Sequence, residues 1–183
     1  MKNEELQSIS DFFLKKLFYG IPSIPCRFAD IDEDTSGCFC LEENENCHID
    51  EELEEELEKA PEYKVQNIRD EDTGFGIDII EEHIWTDPLK KPILYININS
   101  NIRRRKMTVI GVLLHELTHY YCWYCGYDRF DGSPQFESEL KKRNLPSNGD
   151  SVFKNGQWKD TFNYSTMSVY YDMYKQYLET GEI

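Results

Sequence analysis

The amino-acid sequence predicts one α+β domain, in which a small, mostly antiparallel sheet packs on a central helix, with further helices at the N and C termini. A chain of 183 residues with 39% hydrophobic residues is long enough for one domain with a real core. Apolar residues recur at helical spacing near both ends of the chain. Between them lie short stretches that alternate apolar and polar residues, as strands do.

The first half of the chain is predicted to contain two helices and several short strands. Residues 4–19 form an amphipathic helix that Gly20 and Pro22 end. Strands are expected at residues 24–29, 37–42, 47–49, 63–69, 75–85 and 93–99, and a short acidic helix at residues 50–60. The second and third of these strands are predicted to pair as a hairpin.

The second half of the chain is predicted to be mainly helical. An apolar helix runs from Met107 to about Cys125. Ser133 as cap and Pro134 as first helical residue predict the next helix, which ends near Lys142 or Arg143. Residues 145–159 are turn-rich. A last helix at about residues 162–178 carries a stripe of tyrosines that we expect to pack in the core.

The charge of the chain is unevenly distributed. The net charge is −15, and residues 29–87 hold 22 of the 35 acidic residues but only 3 of the 20 basic ones. A nucleic-acid-binding protein needs a basic face to neutralise phosphates, so nucleic acid is an unlikely partner. The acidic region is interpreted as a solvated surface. A binding protein that mimics nucleic acid or caps a basic partner is the alternative.

The sequence also predicts a compartment. No stretch approaches about 18 consecutive apolar residues, so no membrane span is expected. No basic segment followed by an apolar run marks a signal peptide. The six cysteines are therefore expected to be reduced thiols in the cytoplasm.

A His-Glu-x-x-His motif lies in the apolar helix. His115 and His119 are four residues apart, so both side chains lie on one helix face and can bind one ion. Glu116 lies beside them as a candidate general base. This pattern predicts a zincin-type active-site helix with Zn²⁺ as cofactor and an open position for water and substrate.

A catalytic zinc site needs a third protein ligand, and no histidine follows His119. The candidates among the carboxylates that follow are Asp131, in the loop before the Ser133 helix, and Glu137, in the first turn of that helix. The sequence leaves the choice between them open. It also leaves open a second metal site, on Cys38, Cys40, Cys47 and His48, whose spacing matches no common zinc module.

The chain resembles the SprT-like zinc metallopeptidases, in particular the small versions found in phage and mobile elements. The resemblance rests on the strand Ile93 to Ile98, on His115-Glu116-Leu117-Thr118-His119, and on the segment Asp131 to Leu140. It covers about residues 93–145 and leaves about residues 50–90 as an acidic insertion. In better-known members the third ligand is a histidine four residues before the phenylalanine of the following helix. That position is Gly132 here, which leaves Asp131 or Glu137 as the substitute.

The resemblance and the motif together predict a zinc metalloendopeptidase that acts on a protein or peptide substrate. Glu116 is expected to take a proton from zinc-bound water as it attacks a peptide carbonyl, and to pass it to the leaving amine. Two alternatives remain from the sequence. One is the acidic binding protein with a structural zinc, and the other is a zinc hydrolase that acts on a non-peptide bond.

Overall fold

The computed structural model describes residues 1–42, 93–145 and 163–182, together with the backbone of four further strands at 65–69, 76–80, 151–154 and 157–160. The α+β class is confirmed for this part of the chain. Its helices are α1 (Asn3–Leu17), α2 (Lys106–Tyr124), α3 (Pro134–Lys142) and α4 (Tyr164–Thr180). Its strands are β1 (Cys26–Ala29), β2 (Gly37–Glu42), β3 (Val65–Arg69), β4 (Gly76–Ile80), β5 (Ile93–Asn99), β6 (Ser151–Lys154) and β7 (Gln157–Asp160).

Helix α1 forms where its apolar spacing predicts. Leu6, Ile9 and Phe13 are fully buried along one face, as residues at helical spacing should be. Acidic side chains in its first turn and lysines in its last turn complement the helix dipole. The helix ends because Tyr19 and Gly20 both adopt positive φ, which reverses the direction of the chain.

The central sheet has three strands in the order β1-β5-β2. Strand β5 pairs parallel with β1 and antiparallel with β2, so this sheet is mixed and not mostly antiparallel as the sequence had suggested. A parallel pair is possible here because more than sixty residues separate β1 from β5, whereas a tight turn would force an antiparallel pair. Ile96 and Ile98 of β5 are fully buried in the core.

Two further hairpins are described by their backbones. Strands β3 and β4 pair antiparallel within the predicted strand regions. Strands β6 and β7 pair antiparallel in the stretch that was predicted to be turn-rich, so that prediction missed a hairpin. Lys154 pairs with Gln157, and the two residues between them are Asn155 and Gly156. Asn-Gly between two strands is a strong hairpin signal, because both residues readily adopt the positive φ of a tight turn.

Several predictions concern residues that the structure does not describe. These are the strand at residues 47–49, which was expected to pair with residues 37–42, and the acidic helix at residues 50–60. In the described structure β2 pairs with β5 along its whole length.

Helix α2 crosses the centre of the core, and its side chains are buried on nearly every face. Helices α1 and α4 pack beside it. Phe12 of α1 stacks on Tyr177 of α4 with ring centroids 5.1 Å apart, and the Tyr174 hydroxyl donates to Ser8 Oγ at 2.9 Å. The tyrosine stripe of the last helix is therefore used for packing on this side, as predicted. None of the helices among the described residues has both the length and the apolar character of a membrane span.

Helix α3 begins as its sequence predicts and is anchored at its end by a buried ion pair. The Ser133 hydroxyl accepts a hydrogen bond from the Phe136 N–H, and Pro134 takes the first helical position. The Arg143 guanidinium donates to Glu139 Oε2 at 2.8 Å and to the Leu17 carbonyl at 3.0 Å. The second contact joins the end of α1 to α3.

Candidate metal centre

Two imidazole nitrogens meet on one face of α2. The Nε2 atoms of His115 and His119 lie 3.0 Å apart, and the two rings are tilted at 79° to one another. His115 is almost fully buried and His119 is partly buried. The i, i+4 spacing in the sequence therefore brings the two rings together, as predicted.

The loop after α2 turns back over these histidines. Gly126 adopts a positive φ of 68°, and the Tyr127 N–H bonds to the Cys122 carbonyl, which closes the helix end. His119 Nδ1 then donates to the carbonyl oxygen of Arg129 at 2.5 Å. This bond fixes the tautomer, so that the lone pair of His119 is on Nε2 and faces His115. A backbone carbonyl on the far ring nitrogen is the usual arrangement for a metal-binding histidine.

The same loop brings a carboxylate to the histidine pair. Asp131 Oδ1 lies 3.3 Å from His115 Nε2 and 3.7 Å from His119 Nε2. Ligand atoms around a tetrahedral zinc, with bonds of about 2.0–2.2 Å, lie roughly 3.3–3.5 Å from one another. The three measured separations of 3.0, 3.3 and 3.7 Å scatter around that value. A point about 2 Å from all three atoms exists, so this donor set fits a zinc ion.

Glu137, the other candidate for third ligand, makes a different contact. Its Oε1 accepts a hydrogen bond from the N–H of Gly132 at 3.2 Å. Gly132 has a φ of +83°, a conformation that glycine adopts readily and other residues rarely do. Further bonds hold the same loop: the Phe130 N–H donates to Asp128 Oδ1 and the Ser133 hydroxyl donates to the Asp128 carbonyl. Glu137 thus supports the loop that carries Asp131.

Glu116 is buried beside the two histidines. One carboxylate oxygen of Glu116 and one ring nitrogen of each histidine lie within 4.8 Å of one another. Strand β2 approaches this side chain closely because its first residue is a glycine. A Cβ atom built on Gly37 would lie 3.1 Å from both Cγ and Oε1 of Glu116, and 2.5 Å from Val112 Cγ1. Gly37 therefore permits the close contact between β2 and α2 at the catalytic candidate.

The ring of Phe136, in α3, packs against both imidazole rings. It stacks on that of His119 with centroids 4.2 Å apart and planes at 15°, and it meets the His115 ring edge-on at 5.3 Å. Phe136 is itself fully buried. Because both rings pack on one rigid side chain, their orientation is fixed before any ion binds.

The protonation states of the site suit a cation. Burial, followed by the neighbouring His115, lowers the pKa of His119 to about 4, so His119 is neutral at pH 7. The hydrogen bond with His115 lowers the pKa of Asp131, so this carboxylate is ionised at pH 7. A metal ion needs neutral imidazoles and an ionised carboxylate as ligands.

The site opens to solvent through a cleft of about 350 Å³. Besides the motif residues and Asp131, the cleft is lined by Gly37, Cys38, Phe39, Arg129 and Phe130. Sequence reasoning did not place these five residues at the site. One signal was available for the first three, because a glycine at the start of a strand often marks a close backbone approach.

The predicted second metal set is described only in part. Cys38 and Cys40 lie on one face of β2, as their i, i+2 spacing requires, whereas Cys47 and His48 lie outside the described residues.

No protein-family model, curated protein or solved structure matches the chain.

Proposed function

We propose that the chain is a zinc-dependent metallopeptidase of the SprT-like type, acting as an endopeptidase on a protein or peptide substrate. One observation carries the proposal. His115, His119 and Asp131 present three donor atoms at the separations of a tetrahedral zinc site, and the buried carboxylate of Glu116 lies next to them. The open cleft beside this group supplies access for a substrate.

His115 and His119 would hold the ion through Nε2, and Asp131 would hold it through Oδ1. A zinc ion held there supplies a Lewis acid that lowers the pKa of water and polarises a carbonyl group. The Arg129 carbonyl keeps His119 in the tautomer that binds through Nε2. Two histidines and one carboxylate leave a coordination position free for the reaction, as catalytic zinc sites require.

Glu116 is the general base and acid. Its carboxylate accepts a proton from the attacking water and then donates it to the amine that leaves the cleaved peptide bond. Because Glu116 is only 3% exposed, solvent screens the charge of its carboxylate poorly. Val112 and the backbone at Gly37 restrict the side chain on the side of β2.

The substrate is expected to lie along β2. Among the described strands, β2 is an outer strand of the central sheet, and its first three residues line the cleft. An extended peptide beside an outer strand can form main-chain hydrogen bonds with it. This position would place a peptide carbonyl close to both Glu116 and the metal ligands.

The test combines metal content with peptide cleavage. Purified wild type is compared with His119→Ala, Asp131→Ala and Glu137→Ala for zinc per chain. His119→Ala and Asp131→Ala should each lose one equivalent of zinc, and Glu137→Ala should keep it. A folded wild-type protein that binds no zinc would refute the proposal.

Glu116→Gln tests the mechanism separately, because it preserves the shape of the side chain and removes its basicity. This variant should keep the zinc of the wild type and lose peptide cleavage by about 100-fold or more, which is the usual contribution of a general base. Cleavage at the wild-type rate by Glu116→Gln would exclude Glu116 from the reaction.

A further inference from the structure

A pair of cysteines lies on one face of β2, and the first of them, Cys38, also lines the cleft beside the histidines. Cys38 Sγ and Cys40 Sγ are 3.2 Å apart, and one thiol donates a hydrogen bond to the other. Both side chains are half-buried. The amide of Asn97, on the neighbouring strand β5, points to Cys40 Sγ at 3.9 Å.

The spacing of the two cysteines argues against a disulfide. Residues i and i+2 of a strand are about 6.4–6.8 Å apart along the chain. A disulfide needs Cβ atoms only about 3.5–4.5 Å apart, so the strand would have to shorten between the two cysteines. Strand β2 cannot do so easily, because it pairs with β5 from Gly37 to Glu42 without a break.

The same geometry suits a shared metal ion. Thiolate sulfurs lie about 2.3 Å from zinc. Two sulfurs around a tetrahedral zinc lie about 3.8 Å apart. The pair at 3.2 Å would have to open by roughly half an ångström, which rotation of the two side chains can supply without movement of the backbone.

A carboxylate follows the two cysteines along β2. Glu42 is the next residue on their face of the strand, and it accepts a hydrogen bond from the Tyr95 hydroxyl.

We propose that Cys38 and Cys40 form a second metal site, which takes a thiophilic divalent ion such as zinc or cadmium through the two sulfurs. Thiolate ligands select such ions over magnesium and calcium. The site needs neither His115 nor His119, so it goes beyond the proposed peptidase centre and does not depend on it.

Cadmium is the probe, because cadmium thiolates absorb in the ultraviolet through charge transfer from sulfur, whereas a cadmium ion held by histidine and carboxylate does not. Fully reduced, metal-free protein is titrated with Cd²⁺, and the charge-transfer absorbance is followed. The wild type should reach a plateau with one thiolate-bound ion per chain. Cys38→Ser and Cys40→Ser should each reduce the plateau at least twofold, and the double variant should reduce it about tenfold or more.

Two controls separate this site from the rest of the chain. His119→Ala should leave the charge-transfer plateau unchanged, because the histidine contributes no sulfur. Cys26→Ser should also leave it unchanged, because Cys26 is buried in β1 and contacts Ser10 at 3.2 Å. Circular dichroism of each variant checks that it is folded.

Four outcomes would overturn the proposal. The first is a plateau that survives in the folded double variant, which would place the thiolate ligands elsewhere. The second is the absence of charge-transfer absorbance in reduced wild type. The third is absorbance that disappears in His119→Ala, which would mean that the sulfurs join the histidine centre. The fourth is a disulfide between the two cysteines, seen as a mass two hydrogens lower and as no cadmium binding before reduction. It would show that β2 can shorten enough to form the covalent bond.

Discussion

A single methyl group at Gly37 tests the packing of β2 on α2. The substitution Gly37→Ala places a Cβ atom 2.5 Å from Val112 Cγ1 and 3.1 Å from Glu116 Oε1. Carbon atoms in contact normally lie about 3.5–4.0 Å apart, so the new atom overlaps Val112 by about 1 Å or more. Val112 is fully buried in α2, and close-packed interiors leave little room for a side chain to move.

The expected size of the effect follows from two opposing contributions. Overpacking of a core costs about 1–3 kcal/mol. Replacement of glycine by alanine in the strand also stabilises the folded state by about 0.4–1 kcal/mol, because the unfolded chain has less conformational freedom. We therefore expect Gly37→Ala to lower the free energy of unfolding by about 1–2 kcal/mol.

A double-mutant cycle with Val112→Ala isolates the clash. The second substitution removes the Cγ1 atom that overlaps the new methyl group, so the double variant should be more stable than the sum of the single effects by about 1 kcal/mol or more. Urea denaturation of the four proteins supplies the free energies. Additivity within about 0.5 kcal/mol would refute the argument that Gly37 is required by Val112. The added methyl group also lies 3.1 Å from Glu116, so Gly37→Ala should lower peptide cleavage. This contact is unchanged in the double variant, so cleavage should stay low there even though stability recovers.

Three further predictions concern the ligands and their support. Zinc at about 100 times its Kd should stabilise the wild type by about 2.7 kcal/mol, and His119→Ala should show no such shift in a thermal unfolding scan. Phe136→Leu removes the ring that stacks on His119 at 4.2 Å. It should weaken zinc binding in a chelator competition, and unchanged affinity would show that the stacking does not position the ligand. Glu139→Ala leaves Arg143 buried without its carboxylate partner and should cost about 3–5 kcal/mol by urea denaturation. Lys142→Ala, the control on the exposed partner of the same carboxylate, should cost under about 1 kcal/mol.

Helices with strong local signals could be predicted from the sequence. The predicted helix at residues 4–19 corresponds to Asn3–Leu17, and the helix with a serine cap begins at Pro134 as expected. The direction of strand pairing could not be predicted in this way. An isolated strand such as Cys26–Ala29 carries no local information about its partner, and the parallel pairing with β5 depends on contacts between residues about seventy positions apart.

The candidate site likewise contains residues that the sequence predicts and residues that only the fold brings there. His115 and His119 come together because a helix brings positions four apart onto one face, and Glu116 is adjacent to the first of them in the chain, so this part of the site depends only on local geometry. Phe39, Arg129 and Phe130 line the cleft because β2 and the loop after α2 meet there in three dimensions. The glycine at the start of β2 is a signal for the approach of that strand, but no local pattern marks Arg129 or Phe130, so these two residues could not be predicted.

The positions of Asp131 and Glu137 relative to the start of α3 explain why their carboxylates make different contacts. Glu137 lies one turn into α3, and its carboxylate reaches back to the Gly132 N–H in front of the helix. Carboxylates at this position favour the N-terminal end of a helix, where N–H groups have no partner within the helix. Asp131 lies before the cap and outside the helix, so it is free to turn towards the histidines, where its Oδ1 lies 3.3 Å from His115. The two carboxylates therefore have complementary positions. Glu137 accepts a hydrogen bond from the Gly132 N–H, and Asp131 lies beside the two histidines.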